Sequence, residues 1–139
     1  MKVVIERINQ AVNLKATSEG GQSLIMDGSP QIGGEDLGMR PMEVLLSSLA
    51  GCSSMDVLSI LKKMREDVQD YKVEITGERD TEQVPAVFKT IHVHFILKGN
   101  LNEKNVEKAI SLSMEKYCSV SKMLEKSAVI THSYAIETV

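Results

Sequence analysis

From Pro41 to Leu61 the chain carries apolar residues on nearly every side of a prospective helix: Leu45, Leu46, Leu49, Val57, Leu58, Ile60 and Leu61. Proline suits the first helical position, where its missing N–H has no intrahelical partner to lose. Lys62-Lys63-Met64-Arg65-Glu66 then returns the chain to water. A helix that is apolar all round is buried on most faces. One other long helical stretch is available to cover it, so the feature predicts a central helix shared with a second subunit. The small run Ser47, Ser48, Ala50, Gly51, Ser53 and Ser54 lets another helix or backbone approach closely.

Around that helix the chain reads as strands, helix, strands, helix, strand. Val3 to Ile8, Val12 to Ala16 and Ser23 to Met26 read as short strands, with turns at Asn9-Gln10 and Ser18-Glu19-Gly20-Gly21. A loop from Asp27 to Met39 is rich in glycine. Lys72 to Glu78 is a strand, and Val87 to Lys98 alternates, with Val87, Ile91, Val93, Phe95 and Leu97 on one face. Asn102 is the N-cap of a second helix with Val106, Ala109, Ile110, Ser113 and Tyr117 on one stripe. Ser119 starts a short helix, and Ala128 to Thr138 is a last strand. The order predicts an α+β fold with antiparallel sheets, one domain over residues 1–139.

Composition excludes several function classes. With 16 basic and 19 acidic residues the chain has no footprint for nucleic acid. No uninterrupted apolar run reaches bilayer length, and Met1-Lys2-Val3-Val4-Ile5-Glu6-Arg7 lacks a signal-peptide layout, so a cytoplasmic protein off the membrane is expected. Structural disulfides are rare in that compartment. Cys52 and Cys118 are therefore read as reduced thiols at rest, redox-active or space-filling.

A thiol reacts as its thiolate and needs a nearby cation or helix N-terminus to favour that form. Cys52 lies about three turns into the helix, beyond the reach of a dipole that fades within one turn. Activation must come from a side chain. Arg40 is the candidate cation, and Glu43 the nearest carboxylate on the segment. Nine positions separate Glu43 from Cys52, so on one straight helix they point to roughly opposite sides. A second subunit, or a bend near Gly51, would be needed to join them.

Two motifs carry a family resemblance. Pro41-Met42-Glu43-Val44-Leu45-Leu46, continuing to Leu49-Ala50-Gly51-Cys52, and Tyr117-Cys118-Ser119-Val120-Ser121-Lys122 together resemble the OsmC/Ohr family, as does the element order along the whole chain. The resemblance implies an intertwined homodimer with two central helices wrapped by antiparallel β-sheets. It implies a cysteine-based peroxidase acting on organic hydroperoxides in the response to oxidative stress. Cys52 would be peroxidatic and Cys118 resolving, at sites shared across the interface, with Arg40 and Glu43 as further site residues. The disulfide would be reduced by a dithiol, a lipoylated protein in the best-understood branch, and no cofactor is implied. In the peroxidase branches a glutamate directly follows the proline; here Met42 holds that position. Their earlier-loop arginine has no counterpart between Asp27 and Met39, and their Cys-Pro is Cys118-Ser119. The Arg40-Pro41-Met42-Glu43 version resembles a separate OsmC-like branch. The alternative is a non-catalytic protein of the same fold that binds a small apolar or electrophilic ligand at the dimer interface.

Other features read more plainly. His92 and His94 alternate on one strand and lack a third ligand, so no metal site is expected there. The glycine-rich loop has no Gly-x-Gly-x-x-Gly and no preceding βαβ context for a nucleotide; a loop closing over a substrate pocket is the functional alternative.

Overall fold

The computed structural model describes all 139 residues. Two compact units emerge, Met1–Leu45 and Leu46–Val139.

The first unit is an antiparallel sheet of β1 (Val3–Arg7), β2 (Leu14–Ser18) and β3 (Ser23–Met26), in that order. Asn9 builds the first turn. Its Oδ1 accepts from the N–H of Ala11 at 2.9 Å and of Asn13 at 3.2 Å, so the turn extends to Asn13 and β2 begins later than the expected Val12. The second turn closes on Gly21, whose φ of 88° lies in the left-handed region that glycine enters without steric cost.

The glycine-rich loop is organised by Asp27. This side chain is buried, and its carboxylate accepts from the N–H groups of Gly28 (2.8 Å), Leu37 (3.1 Å) and Glu35 (3.3 Å). Burial pushes the Asp27 carboxyl up. The three N–H donors, led by Leu37, and the charge of Arg40 outweigh that and hold it below the usual range. Gly34 is required by proximity, because a Cβ there would sit 1.9 Å from the Gly28 carbonyl oxygen. The glycines thus serve the loop's own packing.

Helix α1 (Pro41–Lys63) follows. Glu43 Oε1 accepts from the Arg40 N–H at 2.8 Å, the reciprocal arm of a capping box. The helix stops at Arg65, whose φ is 62°, where the Glu66 N–H reaches the Leu61 carbonyl at 3.0 Å. Within this chain α1 buries a single stripe, Leu49, Ser53, Val57 and Leu61, rather than all its faces. Met55 is 76% exposed. Only 22% of its most apolar window is buried, although that window has a mean hydropathy of 1.7. By length and composition alone this helix could cross a membrane, which corrects the estimate from uninterrupted runs: the small serines and glycine interrupt the apolar run without making it polar.

The second unit contains a sheet ordered β4 (Asp70–Arg79), β5 (Phe88–Lys98) and β6 (Val129–Glu137). β4 and β5 are antiparallel, as expected, but β5 and β6 run parallel, so this sheet is mixed. Residues 99–128, with two helices, form the long crossover that a parallel pair needs. A bulge corrects the register of β5. Glu78 pairs with Thr90 and Arg79 with Phe88, so Lys89 is the extra residue and the alternation slips by one. Phe88 is therefore buried where Val87 was expected, and Val87 is exposed. Phe95, Ile91 and Leu97 of β5 join Leu49 and Leu61 of α1 among the largest fully buried side chains.

The crossover holds α2 (Glu103–Leu112), capped as expected by Asn102, whose Oδ1 accepts from the Asn105 N–H at 3.2 Å. One π turn, Ser113–Tyr117, breaks the helix before α3 (Ser119–Leu124) begins.

Candidate functional site

The π turn is what places Cys118. It ends the α2 segment early, and the chain turns extended at Cys118, which becomes the N-cap of α3. The sulfur stands where Ser, Thr or Asp would usually cap, accepting from the Ser121 N–H at 3.4 Å. Cys118 is fully buried. Cys52 is half-buried on α1. Asp56, one turn further along α1 and on the same face, is also half-buried. The two sulfurs and a carboxylate oxygen of Asp56 all lie within 4.8 Å of one another.

A hydroxyl network supports this cluster. Ser113 Oγ donates to Asp56 Oδ2 at 3.0 Å and also lies 3.2 Å from the Ser53 carbonyl. Ser53 is itself fully buried, its hydroxyl turned back on the Leu49 carbonyl at 2.9 Å. Small residues on α1 therefore let the π turn approach, as the serine run suggested. A surface cleft of about 480 Å³, lined by Ser59, Ile60, Lys63, Leu112 and Tyr117, opens onto Asp56.

Burial pushes the Cys118 thiol up to about 11 against the pull of the Ser121 N–H, and the neighbouring Cys52 sulfur adds to the rise. At neutral pH Cys118 is a protonated thiol that can donate to the Cys52 sulfur.

Of the four residues expected at the site, the structure brings Cys52 and Cys118 together. Arg40 is engaged elsewhere: it forms an ion pair with Asp36, and its Nη1 lies 3.4 Å from the Asp27 carbonyl. Glu43 caps α1 as described. The charged group set beside the thiols is Asp56, which the sequence reading passed over; its position four residues after Cys52 was the available signal. Ser113 carried no signal beyond its helical stripe. His92 and His94 make hydrogen bonds with strand hydroxyls: Nδ1 of His92 lies 2.6 Å from Thr131 Oγ1, and both rings reach Ser133.

A two-sheet α+β fold with a thiol pair between its long helix and a π turn defines a class. The chain belongs to the OsmC-like protein family, whose model matches residues 33–133. It is 46% identical to Protein YhfA of Escherichia coli K12 over 120 residues, 86% of each chain. It superimposes on a hypothetical protein from Aquifex aeolicus with a TM-score of 0.85 at 33% identity, covering 99% of this chain and 96% of that one. An organic hydroperoxide resistance protein from Legionella pneumophila shares the fold, with a TM-score of 0.70, 14% identity and 97% coverage of each chain.

Proposed function

We propose that the chain is a thiol-dependent peroxidase that reduces organic hydroperoxides through Cys52 and Cys118, protecting against oxidative stress. The observation that carries this reading is two free thiols, far apart in sequence, brought within 4.8 Å of each other. The family contains proteins described by organic hydroperoxide resistance, which supports the substrate class.

The half-buried Cys52 attacks the terminal oxygen of the hydroperoxide as its thiolate. The O–O bond breaks, the alcohol leaves with a proton, and Cys52 becomes a sulfenic acid. Cys118 supplies its thiol, the S–S bond forms and water leaves. The sum is one hydroperoxide and two thiols giving one alcohol, one water and one disulfide. An external dithiol, such as a lipoylated protein, restores the thiols by exchange in a reducing cytoplasm. Ile60 and Leu112 in the cleft give an alkyl chain apolar surface to cover.

The reading includes a homodimer. Its support is the apolar face that α1 leaves uncovered, and the open space where a Gly51 Cβ would lie, with nothing within 4 Å beyond the neighbouring residues and backbone of its own helix. Arg40 and Glu43 would then act at a thiol pair only across the subunit boundary. Sedimentation showing a stable folded monomer at micromolar concentration removes the dimer. Mixed dimers of Cys52→Ser and Glu43→Gln chains test the shared site.

Intact-mass measurement after addition of cumene hydroperoxide tests the chemistry. The wild type should lose two hydrogens, and Cys118→Ser should gain oxygen. Full thiol titre after excess hydroperoxide would instead support the second reading, a non-catalytic protein that binds a small apolar or electrophilic ligand. The carboxylate beside the thiols is the observation that favours it.

A further inference from the structure

We propose that Cys52, Asp56 and Cys118 bind a thiophilic divalent cation, zinc, when both thiols are reduced. Three groups that can each carry negative charge meet within 4.8 Å. A divalent cation among them would take one ligand atom from each.

The donor set and its arrangement suit zinc. Two thiolates and a carboxylate make three protein ligands, and a tetrahedral ion keeps the fourth position for water or another small ligand. Cys52 and Asp56 are spaced i, i+4, so one helix face presents both, and Cys118 closes the site from a separate element. Tetrahedral zinc sets two sulfurs roughly 3.8 Å apart and a sulfur and carboxylate oxygen roughly 3.5 Å apart. Closing from 4.8 Å needs at most a shift of about 1.3 Å, within the range of side-chain rotation.

The supporting shell is also in place. Ser113 Oγ holds Asp56 Oδ2 at 3.0 Å, and the Ser121 N–H holds the Cys118 sulfur at 3.4 Å. Ligands oriented by such outer hydrogen bonds are characteristic of built metal sites. The cleft of about 480 Å³ lined in part by Asp56 borders the cluster on its carboxylate side.

Zinc binding and oxidation exclude each other, because a disulfide has no thiolate to offer. Resting on the peroxidase reading, this makes zinc a reversible inhibitor. Once the ion dissociates and both thiols regain their protons, a hydroperoxide takes two electrons and two protons from them, giving alcohol, water and the disulfide, which no longer holds the ion.

Cobalt reports the site without reference to activity. Anaerobic titration of reduced, metal-free wild type with Co²⁺ should give one ion per chain, thiolate-to-cobalt charge transfer in the near ultraviolet, and the strong visible bands of a tetrahedral ion. Added Zn²⁺ should displace it. The wild-type spectrum needs no variant to fold, and absence of the charge-transfer band overturns the proposal. In Asp56→Asn, checked for fold by circular dichroism, zinc affinity measured against a chromophoric chelator should fall by about tenfold or more. Unchanged affinity overturns the three-ligand site. Diamide, which takes two electrons and two protons from the thiol pair, should release bound zinc, and retention after complete oxidation overturns it as well. Zinc should suppress hydroperoxide turnover and a chelator restore it; turnover unaffected by saturating zinc overturns the inhibitory role. Absence of turnover altogether defeats only the peroxidase reading, because the cobalt and diamide results stand apart from it.

Discussion

Two polar centres, one in each unit, teach different lessons. Asp27 is buried and its carboxylate is answered by three backbone N–H donors, so the loop around it is held by bonds already made. The Cys52–Asp56–Cys118 cluster is the opposite. Its carboxylate rests on one hydroxyl, its sulfurs form no disulfide, and a cleft borders its carboxylate. A polar centre whose bonding capacity is spent inside the fold stabilises the fold. One that keeps capacity in reserve beside a cleft is where chemistry or binding can occur.

The largest expected effect separates these roles outright. Cys52→Ser should lower hydroperoxide turnover by at least about 10³-fold while leaving the urea midpoint near that of the wild type. If turnover persists, the cluster loses its chemical role and the contrast fails. Asp27→Asn should do the reverse, with a clearly lower urea midpoint and turnover retained. Its pH dependence sharpens the point. The folded carboxyl is held below its unfolded value, so the unfolded chain binds more protons, and the stability contribution is present above about pH 4. That contribution is lost as pH falls through the folded value. Asp27→Asn should flatten this acid slope in denaturation midpoints measured from pH 7 to pH 3.

The thiol cluster should show the opposite sign. Cys118 is raised from 9.0 to about 11, so its contribution is complete below pH 9 and is lost as pH rises towards 11. Cys118→Ala should remove that alkaline loss relative to wild type. It should also abolish the disulfide, whereas a mere core thiol would show only the first change.

The smallest effect concerns Glu43. Glu43→Ala should cost about 1 kcal/mol through the lost cap arm, measured by urea denaturation, and Glu43→Gln should retain most of it. If Glu43→Gln keeps stability but loses turnover, the carboxylate serves the site as well as the helix.

Much of this was written in local patterns. The Pro41 start and the lysines at the end of α1 predict its span closely, because proline and charge act within a turn. The Asn102 cap was readable for the same reason. The two cysteine motifs identified the family that the comparison with the OsmC-like model shows. Where a non-local partner decides, the sequence reading slipped. The bulge at Lys89 exchanged Phe88 for Val87 in the core, since register belongs to a pair of strands and not to one. The parallel pairing of β5 with β6 depended on where a long crossover returned.

The site divides along the same line. Sequence alone marked Cys52 and Cys118 as the residues to watch and put Arg40 and Glu43 beside the helix start. Only the tertiary structure set the sulfurs within 4.8 Å of each other and of Asp56, because a π turn and a buried serine contact control that approach. Side-chain chemistry is a property of the residue and can be read in order along the chain. The field and bonding that direct it come from neighbours distant in sequence, which are assembled only by folding.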